Sequence, residues 1–278
     1  MSAVYDHCYK TVLRLTQEVG KLIRTRINEA KTVNTKDSEI DFVTETDKEV
    51  EKTLINGLSA EFPDHKFVGE ESTSEGTSQK VVLTDSPTWV IDPVDGTLNF
   101  VHGYPHVCVS IALLVEKVPE IAIIYNPVVN QMFTARKGQG AFLNDQPIKA
   151  SKTEDLSKAL VCFEFGCSRN PEKMNFVKEN VLKLFPQVHG LRSLGSAALD
   201  MAMVACGGAD VYLEAGIHAW DIAAGDLIVR EAGGVVMDPS GGPFDVLSRR
   251  VLCAGTKSLA EQMVKTVTQY HPPRDDAE

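Results

Sequence analysis

The feature that most restricts the fold is the run Trp89-Val90-Ile91-Asp92-Pro93-Val94-Asp95-Gly96-Thr97-Leu98-Asn99-Phe100, an apolar segment ending in two carboxylates three positions apart. Trp89, Val90 and Ile91 suit a buried strand. Pro93 cannot donate in a central ladder and steers Asp92 away from helix, while Gly96 permits close backbone approach. Two carboxylates followed by the Thr97 hydroxyl suit a hard cation such as Mg²⁺, which takes oxygen ligands and keeps waters. A helix beginning near Thr97 would turn its free N–H groups to the same spot and favour a phosphate. The same residues also compose an ordinary capping turn, since Asp and Thr cap helices and Asp-Gly is a turn pair. The turn alone admits both readings, and the rest of the chain decides.

With 278 residues, the chain has room for one large domain or two modest ones. A net charge of −10 offers no broad basic field, which argues against nucleic acid or an anionic membrane as partner. Any anionic substrate must then be received locally, by metal or by backbone. Six cysteines are dispersed without a C-x-x-C pair, the usage of reduced thiols in an intracellular protein. Asp6, His7 and Lys10 stand where a signal peptide would have its apolar core, and no apolar run approaches the roughly 18 residues of a membrane helix. A soluble, cytoplasmic protein is the expectation.

Val12, Leu15, Val19, Leu22, Ile23 and Ile27 recur at helical spacing and predict a long helix over about 4–27. Thr44-Glu45-Thr46-Asp47 supplies N-cap candidates for a helix with Val50, Leu54, Leu58 and Phe62 on one face, so Asp47 falls near a helix start. Residues 66–69 read as a short strand leading to Glu70 and Glu71, then a Ser-, Thr- and Gly-rich loop, 72–78, for which mobility is expected. Val81-Val82-Leu83 is a further strand candidate. Strands over 107–115, 121–125 and 132–135, with turns at Gly138-Gln139-Gly140 and Asn144-Asp145, predict an antiparallel meander. Beyond it, strand candidates at 160–163, 188–191, 210–213 and 235–237 alternate with helices at 171–184, 197–205, 220–232 and 259–267. That rhythm indicates an α/β class with layered elements. No repeat or long linker divides the chain, which reads as one domain over 1–278 with an acidic tail, about 272–278, expected to be disordered.

Several familiar fingerprints are missing: no G-x-G-x-x-G, no G-x-x-x-x-G-K-[ST] and no G-x-S-x-G. His102 and His106 have the spacing of a metal pair, but Gly103 and Pro105 break the helix that would align them, which disfavours zinc. What recurs is an acid closing an apolar segment beside a glycine: Gly69-Glu70-Glu71, Asp92 to Gly96, Glu214-Ala215-Gly216, and Trp220-Asp221 leading to Gly225. If the strands carrying them share a sheet, their carboxyl ends gather these acids in one crevice. Uncompensated carboxylates repel one another, and divalent cations relieve that repulsion. Taken singly, Asp221 also reads as a helix cap, Glu71 as a solvated loop acid, Glu214 as a strand end and Lys36 as a surface charge.

In these motifs the chain resembles the inositol monophosphatases, within the lithium-sensitive, Mg²⁺-dependent phosphatase superfamily. The matching segments are Gly69-Glu70-Glu71-Ser72, Asp92-Pro93-Val94-Asp95-Gly96-Thr97 and Trp220-Asp221-Ile222-Ala223-Ala224-Gly225. The likeness runs over essentially the whole length, and Glu214-Ala215-Gly216-Ile217-His218-Ala219-Trp220-Asp221 narrows it to the subfamily. It implies a five-layer αβαβα sandwich, a homodimer and uncompetitive inhibition by Li⁺. It further implies that Glu70, Asp92 and the Val94 carbonyl hold one Mg²⁺, that Asp92, Asp95 and Asp221 hold a second, and that Glu70 helps a weaker third through water. Thr97 and Asp47 would stand beside the attacking water, Glu70 and Thr97 would orient it, and the Gly96 and Thr97 N–H groups would receive phosphate. Asp95, Ala197, Glu214 and Asp221 would contact the inositol hydroxyls, with Lys36 and Glu71 in support. Leu98 departs from close relatives, which often carry Thr there. The implied activity is hydrolysis of myo-inositol monophosphate to inositol and phosphate by metal-activated water, without a covalent intermediate. Alternatives within that chemistry are a 3′-phosphoadenosine 5′-phosphate phosphatase or a fructose bisphosphatase; from another class, a metal-dependent binding protein whose site has decayed.

Overall fold

Alternation along the strands sorts the apolar residues into three separate cores, and these fix the layers. In the computed structural model, which describes residues 3–31, 33–35, 42–74 and 80–277, a seven-stranded sheet is formed by β3 (Lys66–Gly69), β4 (Thr88–Asp95), β5 (Cys108–Val115), β6 (Val118–Asn126), β7 (Gln131–Arg136), β8 (Ala141–Leu143) and β9 (Gln146–Pro147). Before it, β1 (Val33–Thr35) and β2 (Phe42–Thr44) make a small antiparallel pair. Trp89, Ile91, Val109, Ile111, Leu113 and Ile123 face one side of the large sheet, against α1 (Ala3–Arg26) and α2 (Glu45–Glu61). Val90, Ala112, Leu114, Ala122 and Ile124 face the other, as the period of two requires.

That second face packs on α6 (Ala197–Ala205) and α7 (Ala219–Glu231), which lie between two sheets and are apolar nearly all round. Small residues let these helices close up: a Cβ on Gly225 would meet Met201 Sδ at 2.5 Å. Beyond them stands a five-stranded sheet of β10 (Leu160–Phe163), β11 (Gly190–Arg192), β12 (Val211–Ala215), β13 (Val235–Met237) and β14 (Arg250–Ala254), in the order β11-β10-β12-β14-β13. Its outer face carries α5 (Pro171–Leu184) and α8 (Lys257–Thr266). The stack is therefore αβαβα, the architecture the resemblance implies. Two short helices, α3 (Glu70–Ser74) and α4 (Thr97–His102), leave the ends of β3 and β4.

Four expectations need correction. The acid-bearing segments do not share one sheet: β3 and β4 belong to the seven-stranded sheet and β12 to the other. Val81-Val82-Leu83 enters no ladder; Val81 donates its N–H to Asp275 O at 2.8 Å, and Val82 is exposed. The tail is docked rather than disordered, because Asp275 is buried and its backbone bonds to Val81 and Leu247. The stretch expected as a loop from residue 72 begins inside α3, and 75–79 lie outside the described residues. Strand β14, central in its sheet, was not foreseen. Among the described residues no helix is long and apolar enough to cross a membrane, and no disulfide forms.

Candidate active site

Strand β4 is buried along its whole length, and its register against β5 shifts between Asp92 and Asp95. Pro93 occupies that irregularity, where a missing N–H costs no ladder bond. Asp92 Oδ1 accepts the Val94 N–H at 3.0 Å. Asp95 Oδ2 accepts the Ser196 hydroxyl and the Ala198 N–H, each at 2.7 Å, which ties β4 to the start of α6. Gly96 follows with φ +89°; a Cβ there would lie 2.9 Å from His106 O and 3.0 Å from Gly195 O, so only glycine fits. Thr97 then opens α4 with its Oγ1 3.1 Å from both Asp47 Oδ1 and Val94 O.

Asp47 is fully buried at the third position of α2, where its Oδ2 accepts the Thr44 N–H at 3.1 Å and the Thr44 hydroxyl. The capping box that starts the helix thus also fixes the carboxylate beside Thr97. Gly69 on β3 pairs in parallel with Ile91, so Glu70 and Asp92 leave neighbouring strands side by side. Glu51 of α2 accepts the Glu71 and Ser72 N–H groups at 2.8 Å each and holds the turn that follows Glu70. A Cβ on Gly69 would sit 2.5 Å from that carboxylate.

Asp221 arrives from between the sheets, third in α7, with Oδ2 accepting the His218 N–H at 2.6 Å. Asp92, Asp95 and Asp221 each bring a carboxylate oxygen to within 4.8 Å of the others. Burial, with Glu70, Asp95 and Asp221 nearby, pushes the Asp92 carboxyl well above its usual range, and Asp221 rises through enclosure beside Asp95 and Glu70. Asp95 is raised to about 6 by burial, against the pull of its bonds from Ser196 and Ala198. Among the described residues, no lysine or arginine is among the main influences on these three. Hard oxygen donors, enclosed and mutually repelling, fit a divalent cation.

The model of the inositol monophosphatase family matches residues 5–271. Human inositol monophosphatase 1 is 47% identical over 277 residues, 99% of each chain. The chain belongs to the inositol monophosphatase family. It is accordingly a phosphatase. Similar solved structures include the extragenic suppressor protein suhB from Bartonella henselae, with TM-score 0.84 and 30% identity, covering 96% of this chain and 99% of that one. The inositol monophosphatase from Anabaena has TM-score 0.79 and 31% identity, covering 95% and 96%.

In this inositol monophosphatase family member, Ala197 and Glu214 fall on the α6 and β12 side of the acids. Ala197 opens α6 directly after the Ser196 cap. Glu214 lies within β12, buried, accepting the Tyr212 hydroxyl at 2.6 Å; burial raises it to about 7 despite Lys173 nearby. Glu71 is buried, which excludes the solvated loop acid, and Lys36 lies outside the described residues. His106 turns to Asp200, 3.8 Å away. A cavity of about 550 Å³, lined by Val81, Leu114, Ala223, Arg230 and Leu247 among others, includes none of the site acids.

Sequence reasoning passed over Glu51, Asn99, Glu164 and Ser196. Glu164 accepts the Ser193 hydroxyl at 3.0 Å and the Leu194 and Gly195 N–H groups, and Asn99 Nδ2 donates to Leu194 O at 2.7 Å and His106 O at 2.9 Å. Together they hold the turn that presents Ser196 to Asp95. Glu164 carried a usable signal: it too closes an apolar strand two residues before a glycine, Gly166.

Proposed function

We propose that this protein hydrolyses myo-inositol monophosphate to inositol and phosphate with the help of Mg²⁺. The observation that carries this reading is the convergence of Asp92, Asp95 and Asp221 within 4.8 Å in a chain of this family. Glu70, Asp92 and the Val94 carbonyl would hold one cation, Asp92, Asp95 and Asp221 a second, and Glu70 a weaker third through water. Cations bound there neutralise phosphate charge and lower the pKa of a water. Thr97 has one proton and two lone pairs; donation to Asp47 leaves a lone pair to accept a hydrogen bond from the attacking water and orient it. Glu70 orients that water with Thr97, and Glu71 and Lys36 are supporting residues. The Gly96 and Thr97 N–H groups receive the phosphate, and no side chain becomes phosphorylated.

The substrate side is rich in acceptors. Asp95, Glu214 and Asp221 offer carboxylate oxygens to hydroxyl donors, with the backbone of Ala197 beside them, which suits a polyol. A second phosphate would meet those carboxylates, which weighs against nucleotide and fructose bisphosphates. About 20 kcal/mol or more of stabilisation is needed for an unactivated phosphate monoester, and charge neutralisation plus positioning must supply it. With the family resemblance, the reading includes a cytoplasmic homodimer and inhibition by Li⁺.

The test is phosphate release from a panel of monoesters, with Mg²⁺, with chelator, and with added Li⁺. Release from inositol monophosphate that vanishes in chelator and returns with Mg²⁺ supports the reading and rejects a decayed binding protein. A clear preference for a nucleotide bisphosphate would sink the inositol assignment.

A further inference from the structure

Helix α7 carries Asp221, whose carboxylate accepts the N–H of the N-cap residue His218 in the manner of a capping box. A further cap comes from the end of the chain. Asp275 Oδ2 accepts the Ala219 N–H, the first of the helix, at 2.8 Å, and Asp275 Oδ1 lies 2.7 Å from His218 Nδ1. The carboxylate thus satisfies a free N–H of the first turn from 56 positions away, and it is only 7% exposed.

Arg249 closes the arrangement. Its Nε donates to Ile217 O at 3.0 Å, its Nη2 to Gly216 O at 3.2 Å and its Nη1 to Pro273 O at 3.4 Å, and it pairs with Asp275 at 3.5 Å. The same Nη2 stands 3.1 Å from His218 Nε2. Arginine only donates, so Nε2 accepts and Nδ1 carries the proton that goes to Asp275. Arg249 adopts φ +60°, a left-handed conformation that costs a non-glycine residue energy and persists where surroundings over-determine it. Trp220 stacks on the His218 ring at 4.6 Å, and the tail backbone is pinned by Val81 N–H to Asp275 O and Asp275 N–H to Leu247 O.

We propose that Asp275 is a positioning residue: the C-terminal tail supplies the cap that fixes the first turn of α7 and thereby aims Asp221 at the metal site. The proposal rests on the reading of Asp221 as a metal ligand. The link is the His218 N–H, which occupies one Asp221 oxygen at 2.6 Å within that same turn. His218 is gripped on both ring nitrogens by Asp275 and Arg249. Releasing Asp275 therefore frees the ring, the Ala219 N–H and the turn in one step.

Asp275→Ala and the near-isosteric Asp275→Asn are compared with Asp276→Ala, whose half-exposed carboxylate accepts from Arg274 beside it. In the metal-free full-length protein, amide exchange over residues 219–222 should quicken about tenfold in Asp275→Ala, and less in Asp275→Asn. Mg²⁺ affinity by calorimetry, well below the melting temperature, should weaken by about tenfold or more, as for the loss of a group that orients a metal ligand. Turnover at saturating Mg²⁺ should largely recover. Asp276→Ala should change neither quantity. Unchanged exchange and unchanged Mg²⁺ affinity in Asp275→Ala would overturn the proposal, as would a lowered melting temperature with normal Mg²⁺ affinity. Asp221→Asn separates the two layers: if it leaves Mg²⁺ affinity intact, the ligand reading fails and the coupling with it, while the exchange data still judge the cap.

Discussion

Asp92 and Asp95 leave one buried strand three residues apart, with Asp92 held by Val94 from the same turn, whereas Asp221 reaches the same point on a helix capped by Asp275 and steadied by Arg249. The backbone that carries the first pair is shaped by a proline, a glycine and a register shift in β4, and Asp95 is also held from afar, by Ser196 and Ala198. Asp221 stands in a turn braced by the tail, through Asp275, and by Arg249. The strand half of the site thus rests largely on local geometry, and the helix half on contacts with distant parts of the chain. Variants on the two sides should differ accordingly.

The largest effect is expected at Asp92, which the proposed ligand sets share between two cations. Asp92→Asn should lower phosphate release at ordinary Mg²⁺ by about 10³-fold, a loss of several kcal/mol of charge stabilisation. Asp221→Asn, removing a ligand from one set, should cost less and respond more to added Mg²⁺. The metal-free Asp92→Asn protein should melt a few degrees higher, since a buried acid that Glu70, Asp95 and Asp221 oppose is gone. Equal losses at the two positions would erase the distinction between the shared and the single ligand.

Titration sharpens the comparison next. In the metal-free protein Asp95 is raised to about 6 and Glu214 to about 7, both chiefly by burial. Their folded pKa values exceed the unfolded ones, so the folded state holds its protons more tightly. The resulting stability is fully present below about pH 4 and is lost as pH rises through 6 at Asp95 and 7 at Glu214. The loss is on the order of 3 kcal/mol for each group. Mg²⁺ should reverse the trend, because binding needs the carboxylates deprotonated and releases protons. Chemical denaturation with and without Mg²⁺ from pH 4 to 8 measures both slopes; metal-free stability that climbs with pH would contradict the assignment.

How much of this was legible follows from the same contrast. The strand, proline, glycine and threonine of 89–97 each have a local physical meaning, so the turn and its two acids could be located directly, though not their role, and Asp47 could be placed near a helix start. Glu51 and Ser196 could not, since an acid in mid-helix or a serine before one has no local mark of the N–H or carboxylate it will meet across the molecule. The docking of Asp275 was hidden for another reason. Its segment, Pro272-Pro273-Arg274-Asp275-Asp276, has the composition of a free tail, and only the folded partners Val81, His218 and Leu247 give its backbone and carboxylate a place. Strand β14 escaped because Arg249 and Arg250 precede its apolar run, and their charges are absorbed by Gly216, Asp275 and Asp238 in three dimensions.

A smaller effect is expected at Thr97. Thr97→Ala removes the hydroxyl between Asp47 and the Val94 carbonyl, and should lower kcat by about 10²-fold, the low end of what a positioned proton-handling group contributes. Thr97→Ser keeps the hydroxyl and should retain most activity. Mg²⁺ affinity should be nearly unchanged in both, which separates the hydroxyl's role from that of the carboxylates around it; a large fall in affinity would make Thr97 a ligand instead.

The smallest effect belongs to Leu98, one residue on. Successive residues of a helix point about 100° apart, so the first turn of α4 can send Thr97 to Asp47 and Asn99 to Leu194 while Leu98 faces outward, 46% exposed. Leu98→Thr exchanges a half-exposed side chain for one that loses a little helix propensity and little burial, within about 0.5 kcal/mol. Melting temperature and kcat/KM should both stay close to those of the parent. A loss of tenfold or more in kcat/KM would mean that the outer face of α4 touches substrate or a partner. The local half of the site would then extend past the two residues whose side chains grip Asp47 and Leu194.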